Sequence, residues 1–265
     1  TDFGLHDEYV GVMKGVILSI NRGAQIVDIS HGIERHNVRQ AALLLNASFR
    51  FFPKGSVHVV VVDPGVGGAR RIVCVKKEGH FFLAPDNGVL TMIMQDKQVK
   101  RICEVTKRKY FLKPVSDTFH GRDVFAPVAA HLSKGLDMLS LGKALGLKDL
   151  TRLEIPAPFV SDKHELVGAV TAIDHFGNLV TNISPGILSR FQDNAGPQEV
   201  EVRLGRFKIG GVSRSYDSVK AGKPLAIIGS RNFLEIALNQ GDARHHFKAR
   251  VGQTVRVKLS KKTDR

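Results

Sequence analysis

Apolar residues recur at helical spacing near the start of the chain. Val10, Met13, Ile17 and Ile20 fall on one face between Asp7 and Asn21, and Asn21 with Gly23 ends the run. A second run over Val38–Phe52 stops at Pro53 and Gly55. Strands are predicted at Gln25–Ile29 and at Val57–Val62, a continuous β-branched run of the kind buried on both faces of a parallel sheet. Short strands follow at Ile72–Lys76, His80–Ala84 and Val99–Val105, then a helix over Asp123–Ser133 that tolerates Pro127 near its first turn. Thr1–Gly4 reads as the exit of a strand, as if the sequence were trimmed before it. The alternation predicts an α/β class, with an α/β/α sandwich over residues 1–155.

The pattern then changes. Lys148–Lys163, with Pro156, Pro158 and two charged clusters, reads as a linker. Short strands follow at Leu166–Asp174, Leu179–Ile183, Glu199–Leu204, Pro224–Ile228 and Thr254–Leu259, punctuated by Gly and Asn. Residues 156–265 are therefore expected to form a smaller all-β barrel.

Composition narrows the class. A length of 265 residues with 43% hydrophobic and 24% charged residues is that of a soluble globular protein, which excludes disordered and collagen-like chains. Apolar runs such as Val59–Val62 are far short of a membrane span, and no signal peptide is expected at the start of the sequence. Cys74 and Cys103 lie in strand-like runs without a Cys-x-x-Cys pair, as expected of buried reduced thiols in a cytoplasmic protein. The net charge of +14 is scattered, apart from Lys107–Lys109 and the tail Lys261–Lys262. That distribution reads as a basic surface rather than a nucleic-acid site.

Four polar, Gly-rich segments carry candidate chemistry. Thr1–Asp7 places Asp2 and Asp7 at a strand end, where α/β sheets bind ligands and a carboxylate can hold a ribose diol; Asp7 could equally be a helix N-cap. Asp63–Arg71 follows a buried strand with a Gly-rich turn that is neither a phosphate-binding loop nor a dinucleotide fingerprint, and either Arg70 or Arg71 can return to Asp63. Thr118–Asp123 brings His120, Arg122 and Asp123 to a helix start. Ile173–Asn182 is a loop rich in Asp and Asn, suited to an amine and a purine edge, or a simple hairpin turn at Gly177–Asn178. Ser230 and Arg231 end an apolar strand, a pair suited to a carboxylate. The histidines lack metal-ligand spacing, so no metal site is expected.

The ordered set is specific. Thr-Asp-Phe-Gly at 1–4, Asp-Pro-Gly-Val-Gly at 63–67, Pro-Asp-Asn-Gly at 85–88, Thr-Phe-His-Gly-Arg-Asp at 118–123, Ile-Asp-His-Phe-Gly-Asn at 173–178 and Gly-Ser-Arg at 229–231 span almost the whole chain. The chain resembles the S-adenosylmethionine (SAM) hydroxide adenosyltransferases, the hydrolase branch of a superfamily that also holds SAM-dependent fluorinases and chlorinases. The resemblance implies a homotrimer with SAM bound between subunits, no cofactor beyond the substrate, and hydrolysis to adenosine and L-methionine. It also implies roles for residues. Asp2 would hold the ribose hydroxyls, Asp7 and Asp174 would lie near the methionine amine, and Asn178 would read the adenine edge. Ser230 and Arg231 would hold the methionine carboxylate, and Asp63, Arg70 and His120 would bind the water. Arg70 is preferred to Arg71 because it falls seven residues after the Asp, as in the family pattern.

Such a reaction needs no help with its leaving group, because the sulfonium departs as neutral methionine. It needs a water held in line with ribose C5′ and relieved of a proton, by Asp63 or by His120. Two alternatives remain. Halogenases of the superfamily carry tyrosine in place of Asp63 and lack the partners Arg70 and His120, and a SAM- or adenosine-binding protein would have no use for that triad.

Overall fold

In the computed structural model, which describes residues 1–95, 99–193 and 199–260, the chain divides into two compact units, Thr1–Glu154 and Ile155–Arg265. The Lys261–Lys262 tail lies outside the described residues.

The first unit contains α1 (Tyr9–Ile20), α2 (Val38–Ser48), β1 (Val57–Val59), β2 (Ile72–Lys77), β3 (His80–Pro85), β4 (Val99–Glu104) and α3 (Ala126–Ser133). The sheet runs β1-β3-β2-β4, and among its pairs β1 with β3 is parallel while β3 with β2 and β2 with β4 are antiparallel. Val60–Val62 are buried as the composition of the run predicts, Val57 and Val59 only partly, and the sheet is mixed rather than parallel. The cause is the turn at Glu78–Gly79. Both residues have positive φ, 51° and 89°, and so short a connection can only return β3 antiparallel to β2.

The pleat sorts the side chains into two layers. Val60, Val62, Val73, Val75, Phe82 and Ala84 pack with Ala41, Leu45 and Phe49 of the α2 side. Their neighbours Val61, Ile72, Cys74, Leu83 and Cys103 pack on the other face with Met13 of α1 and Val128 and Leu132 of α3. Each fully buried large side chain contributes about 1.5–3 kcal/mol on removal from water, so both helical layers are held by apolar burial. Cys74 and Cys103 are cross-strand partners and free thiols, and burial pushes the Cys74 thiol well above its usual range.

Gln25–Ile29, expected as a strand, has no regular secondary structure and belongs to no sheet, and neither does Thr1–Gly4. The Thr1 nitrogen and the Gly4 N–H donate to the carbonyls of Ser30 and His31, which ties the segments together without a ladder.

The second unit contains β5 (Phe159–Val160), β6 (Leu166–Ile173), β7 (Leu179–Thr181), α4 (Pro185–Asp193), β8 (Glu199–Leu204), β9 (Phe207–Gly210), β10 (Pro224–Ile228), β11 (Leu234–Leu238), α5 (Ala243–Phe247) and β12 (Thr254–Ser260). One sheet runs β10-β11-β7-β6-β12-β8-β9, with β5 on the β6 edge. A parallel bridge from Ser213, just past β9, to Ile227 in β10 brings the ends together into a nearly closed barrel. Its core includes Leu166, Leu179, Val202, Leu204, Leu234, Ile236 and Val257. β9 and β11 were not predicted from the pattern: β9 is four residues beyond a turn at Gly205, and a glutamate interrupts the apolar run of β11.

Candidate active site

The β1 run continues through Val60–Val62 and delivers Asp63 to the C-terminal end of the sheet, where open α/β sheets place their ligands. The chain then turns back, with the Val66 N–H donating to Asp63 O and the Gly68 N–H to Gly65 O. Gly65 leaves room for the returning Arg70, whose Cγ would lie 3.2 Å from a Cβ there. Arg70 Nε donates to both Asp63 oxygens at 3.1 and 2.8 Å, and Nη2 donates to Oδ2 at 2.6 Å. The same Nη2 stands 2.7 Å from His120 Nδ1. The Asp63 side chain is 4% exposed and that of Arg70 12%, so the pair is shielded from bulk water.

This geometry assigns the state of the imidazole. A guanidinium has only donors, so Nδ1 of His120 accepts and the ring proton sits on Nε2. Burial, then the adjacent Arg70 charge, lower the His120 pKa below its usual value, which favours the same neutral form.

His120 is positioned from two sides. Gly67, at φ 76°, packs so closely on the Asp117 carbonyl that a Cβ would overlap it, which locks the Asp63 loop to the His120 segment. Asp123 is buried, accepts the Ser116 N–H at 2.9 Å, and pairs with Arg122 at 2.6 and 2.9 Å. The turn Gly121–Phe125 is a wide helical turn ahead of α3, a geometry common at functional sites. Phe119, Phe3 and the Met13 sulfur crowd Gly121, and Tyr9 meets Phe119 edge-on at 5.1 Å. Arg122 and Asp123 thus shape the turn rather than line the triad.

Adjacent arginines face different partners. Arg71 pairs with Asp86 at 3.0 and 2.6 Å, and Asp86 also accepts the Thr151 N–H at 2.8 Å. Arg70 is therefore the residue at Asp63, and Pro85–Gly88 is a structural turn. Asp2 stands apart from the triad's hydrogen bonds; its Oδ2 accepts the His36 N–H at 2.9 Å. Asp7 is exposed and does not cap α1, whose N-cap position is Glu8 without a side-chain cap bond.

The remaining candidates lie in two turns of the second unit, one before β7 and one before β11. Asp174 Oδ1 accepts the N–H groups of Phe176 and Asn178, each at 2.9 Å, and Oδ2 accepts Asn178 Nδ2 at 3.0 Å. Gly177–Asn178 is thus a hairpin turn built around an acid, with Gly177 at φ 83°. Ser230 and Arg231 sit in the turn from β10 to β11, closed by the Gly229 N–H to Phe233 O and the Asn232 N–H to Gly229 O. Beside them is a residue the sequence reading missed. Glu235 is 4% exposed, and burial raises its pKa, reinforced by Asp174 and opposed by Arg231. Its signal was a lone acid in the apolar strand Leu234–Leu238.

Family models place residues 1–142 in the SAM hydroxide adenosyltransferase N-terminal domain and residues 168–256 in the corresponding C-terminal domain. The chain belongs to the SAM hydroxide adenosyltransferase family. An (R)-S-adenosyl-L-methionine hydrolase from Thermus thermophilus is 34% identical, with 97% of each chain covered. A fluorinase from Actinopolyspora mzabensis is 28% identical over 98% of this chain and 96% of its own. A solved structure of an uncharacterized conserved protein from Thermotoga maritima superposes with a TM-score of 0.88 at 39% identity, covering 97% of both chains.

The positive charge of the chain is less scattered than its sequence suggested. A groove of about 1100 Å³ in the second unit is lined by Lys163, Arg203, Lys248, Arg250, Arg256 and Lys258, together with Asp162 and Glu165. Among the described residues no group of three or more His, Cys, Asp or Glu is gathered to hold a metal ion, and no helix is long and apolar enough to cross a membrane.

Proposed function

We propose that the protein hydrolyses S-adenosyl-L-methionine to adenosine and L-methionine, with Asp63, Arg70 and His120 holding the attacking water. The observation that carries this reading is Arg70 bridging Asp63 and His120 through one nitrogen. As the C5′–O bond forms, the C5′–S bond breaks and its electron pair leaves on the methionine sulfur. The proton lost by water passes to Asp63, because Nδ1 of His120 is engaged by Arg70 and Nε2 already carries hydrogen. Arg70 offsets negative charge developing on the water oxygen, and the neutral Nε2–H of His120 is left to orient it by donation.

The other roles follow the family pattern. Asp2 holds the ribose diol, Asn178 reads the adenine edge, Asp7 and Asp174 face the methionine amine, and Ser230 with Arg231 bind its carboxylate. The names of the hydrolase relatives specify the (R) form. With L already fixing the α-carbon, this designates the sulfonium centre, so we extend that preference to this chain. The active enzyme is proposed to be a cytoplasmic homotrimer with sites between subunits, needing no metal, no cofactor beyond the substrate and no polynucleotide.

Incubation with each sulfonium epimer in oxygen-18 water, with and without high chloride, tests the chemistry. Adenosine labelled at the 5′ oxygen in both media is expected, unchanged by a chelator. A 5′-chloro nucleoside would make the protein a halogenase, and unconsumed SAM would make it a binding protein. Light scattering tests the trimer.

A further inference from the structure

Glu235 lies on the outer face of β11, opposite Ile227 of β10 and Val180 of β7. That face also carries Leu225, Ile227 and Ala237, a small apolar cluster packed with Val219. The residue is 4% exposed, and its carboxyl group makes no hydrogen bond or ion pair among those formed by the described residues. Its carboxyl group rests against Gly229, where a Cβ would overlap it, at the base of the turn carrying Ser230 and Arg231. Asp174 is close enough to raise the Glu235 pKa further, and both acids raise that of Tyr216. Glu235 therefore stands between the Asp174 hairpin before β7 and the Arg231 turn before β11, within electrostatic reach of both.

A largely buried carboxylate is costly to charge, and the cost is relieved when a ligand supplies a cation with hydrogen-bond donors. The same ligand must tolerate Arg231 beside it. An α-amino acid head group meets both demands, its carboxylate suited to the guanidinium and hydroxyl and its three ammonium hydrogens to the acids. We propose that Glu235 binds the α-ammonium of the substrate's methionine portion together with Asp174, so that the head group is held at both of its charges. The proposal rests on the functional reading above.

Glu235→Gln keeps the shape against Gly229 and removes the charge. Titration calorimetry would compare the wild type and this variant with SAM, with the sulfonium analogue lacking only the amino group, and with adenosine. Wild-type protein is expected to prefer SAM to the des-amino analogue by about 10- to 100-fold, and the variant to lose most of that preference with adenosine affinity unchanged. Glu235→Asp, which keeps the charge but withdraws it, should fall between. Equal losses for all three ligands would indicate a structural role and overturn the proposal, as would a variant that keeps the preference. Wild-type protein that binds no SAM would overturn the functional reading and this proposal together, whereas SAM binding indifferent to Glu235 overturns the proposal alone.

Discussion

Arg70 Nη2 stands 2.7 Å from His120 Nδ1 while donating to Asp63, so one guanidinium sets both the orientation of the carboxylate and the tautomer of the imidazole. Only a planar, multidonor cation does this; an ammonium supplies a point charge without the fork. Arg70→Lys is therefore expected to behave like Arg70→Ala. Both should lower single-turnover hydrolysis by about 10²–10³-fold, while SAM affinity changes little. Asp63→Asn should act at least as severely, since it removes the proposed proton acceptor. Unchanged single-turnover rates in Asp63, Arg70 and His120 variants would refute the triad assignment.

Arg71→Lys is the matched control. Its partners, Asp86 and the Asp149 carbonyl, hold a turn away from the triad. The substitution should lower the melting temperature and leave turnover near wild type, read by calorimetry and a single-turnover assay on one preparation.

Gly67→Ala inserts a methyl group into the Asp117 carbonyl at a backbone angle that L side chains rarely adopt. The Asp63 loop must then move off the His120 segment. Turnover should fall by about 10²-fold or more, as expected when catalytic groups are displaced by an ångström. Gly65→Ala, which meets only the flexible side chain of Arg70, should be milder.

The pH profile follows from His120. Its pKa is lowered from 6.5 by burial and by Arg70, so the neutral form persists as pH falls through 6.5. Protonation below that point puts a hydrogen on Nδ1 and breaks the Arg70 contact. If this step limits turnover, the acid limb of kcat lies below pH 6.5 and moves on His120→Gln.

Stability should have an acid dependence of its own. His58 is buried against Phe82 and 3.3 Å from His80, and burial with that neighbour lowers its pKa to about 4. The unfolded chain therefore takes up the proton more readily between pH 6.5 and about 4. Its contribution is present above pH 6.5 and lost as pH falls, by about 3 kcal/mol in full. Urea unfolding of wild type and His58→Phe across that range measures the difference, which should shrink in the variant.

Sequence pattern located the helices of the first unit because their apolar stripes pack on a sheet, as Met13 and Ile17 do, but not α4 and α5 within the expected all-β barrel. It missed strand direction, which depended on a Glu78–Gly79 turn that does not announce positive φ at a glutamate. Gln25–Ile29 has strand composition but no ladder, and pairing is not local information. At the site, the motif spacing singled out Arg70, and in the fold Arg70 pairs with Asp63 while Arg71 pairs with Asp86. Glu235 was illegible because its meaning depends on a shielded position beside a turn, and no sequence window shows both.

Cys74 and Cys103 face each other across β2 and β4, and they are the chain's whole complement of thiols. Both lie in the first unit and both are sealed in its core. A thiol-reactive dye should therefore label the native protein only as fast as that sheet opens. The protein thus carries a natural clock for the breathing of its N-terminal half, and the rate of that clock owes nothing to the barrel's own cysteines, because the barrel has none.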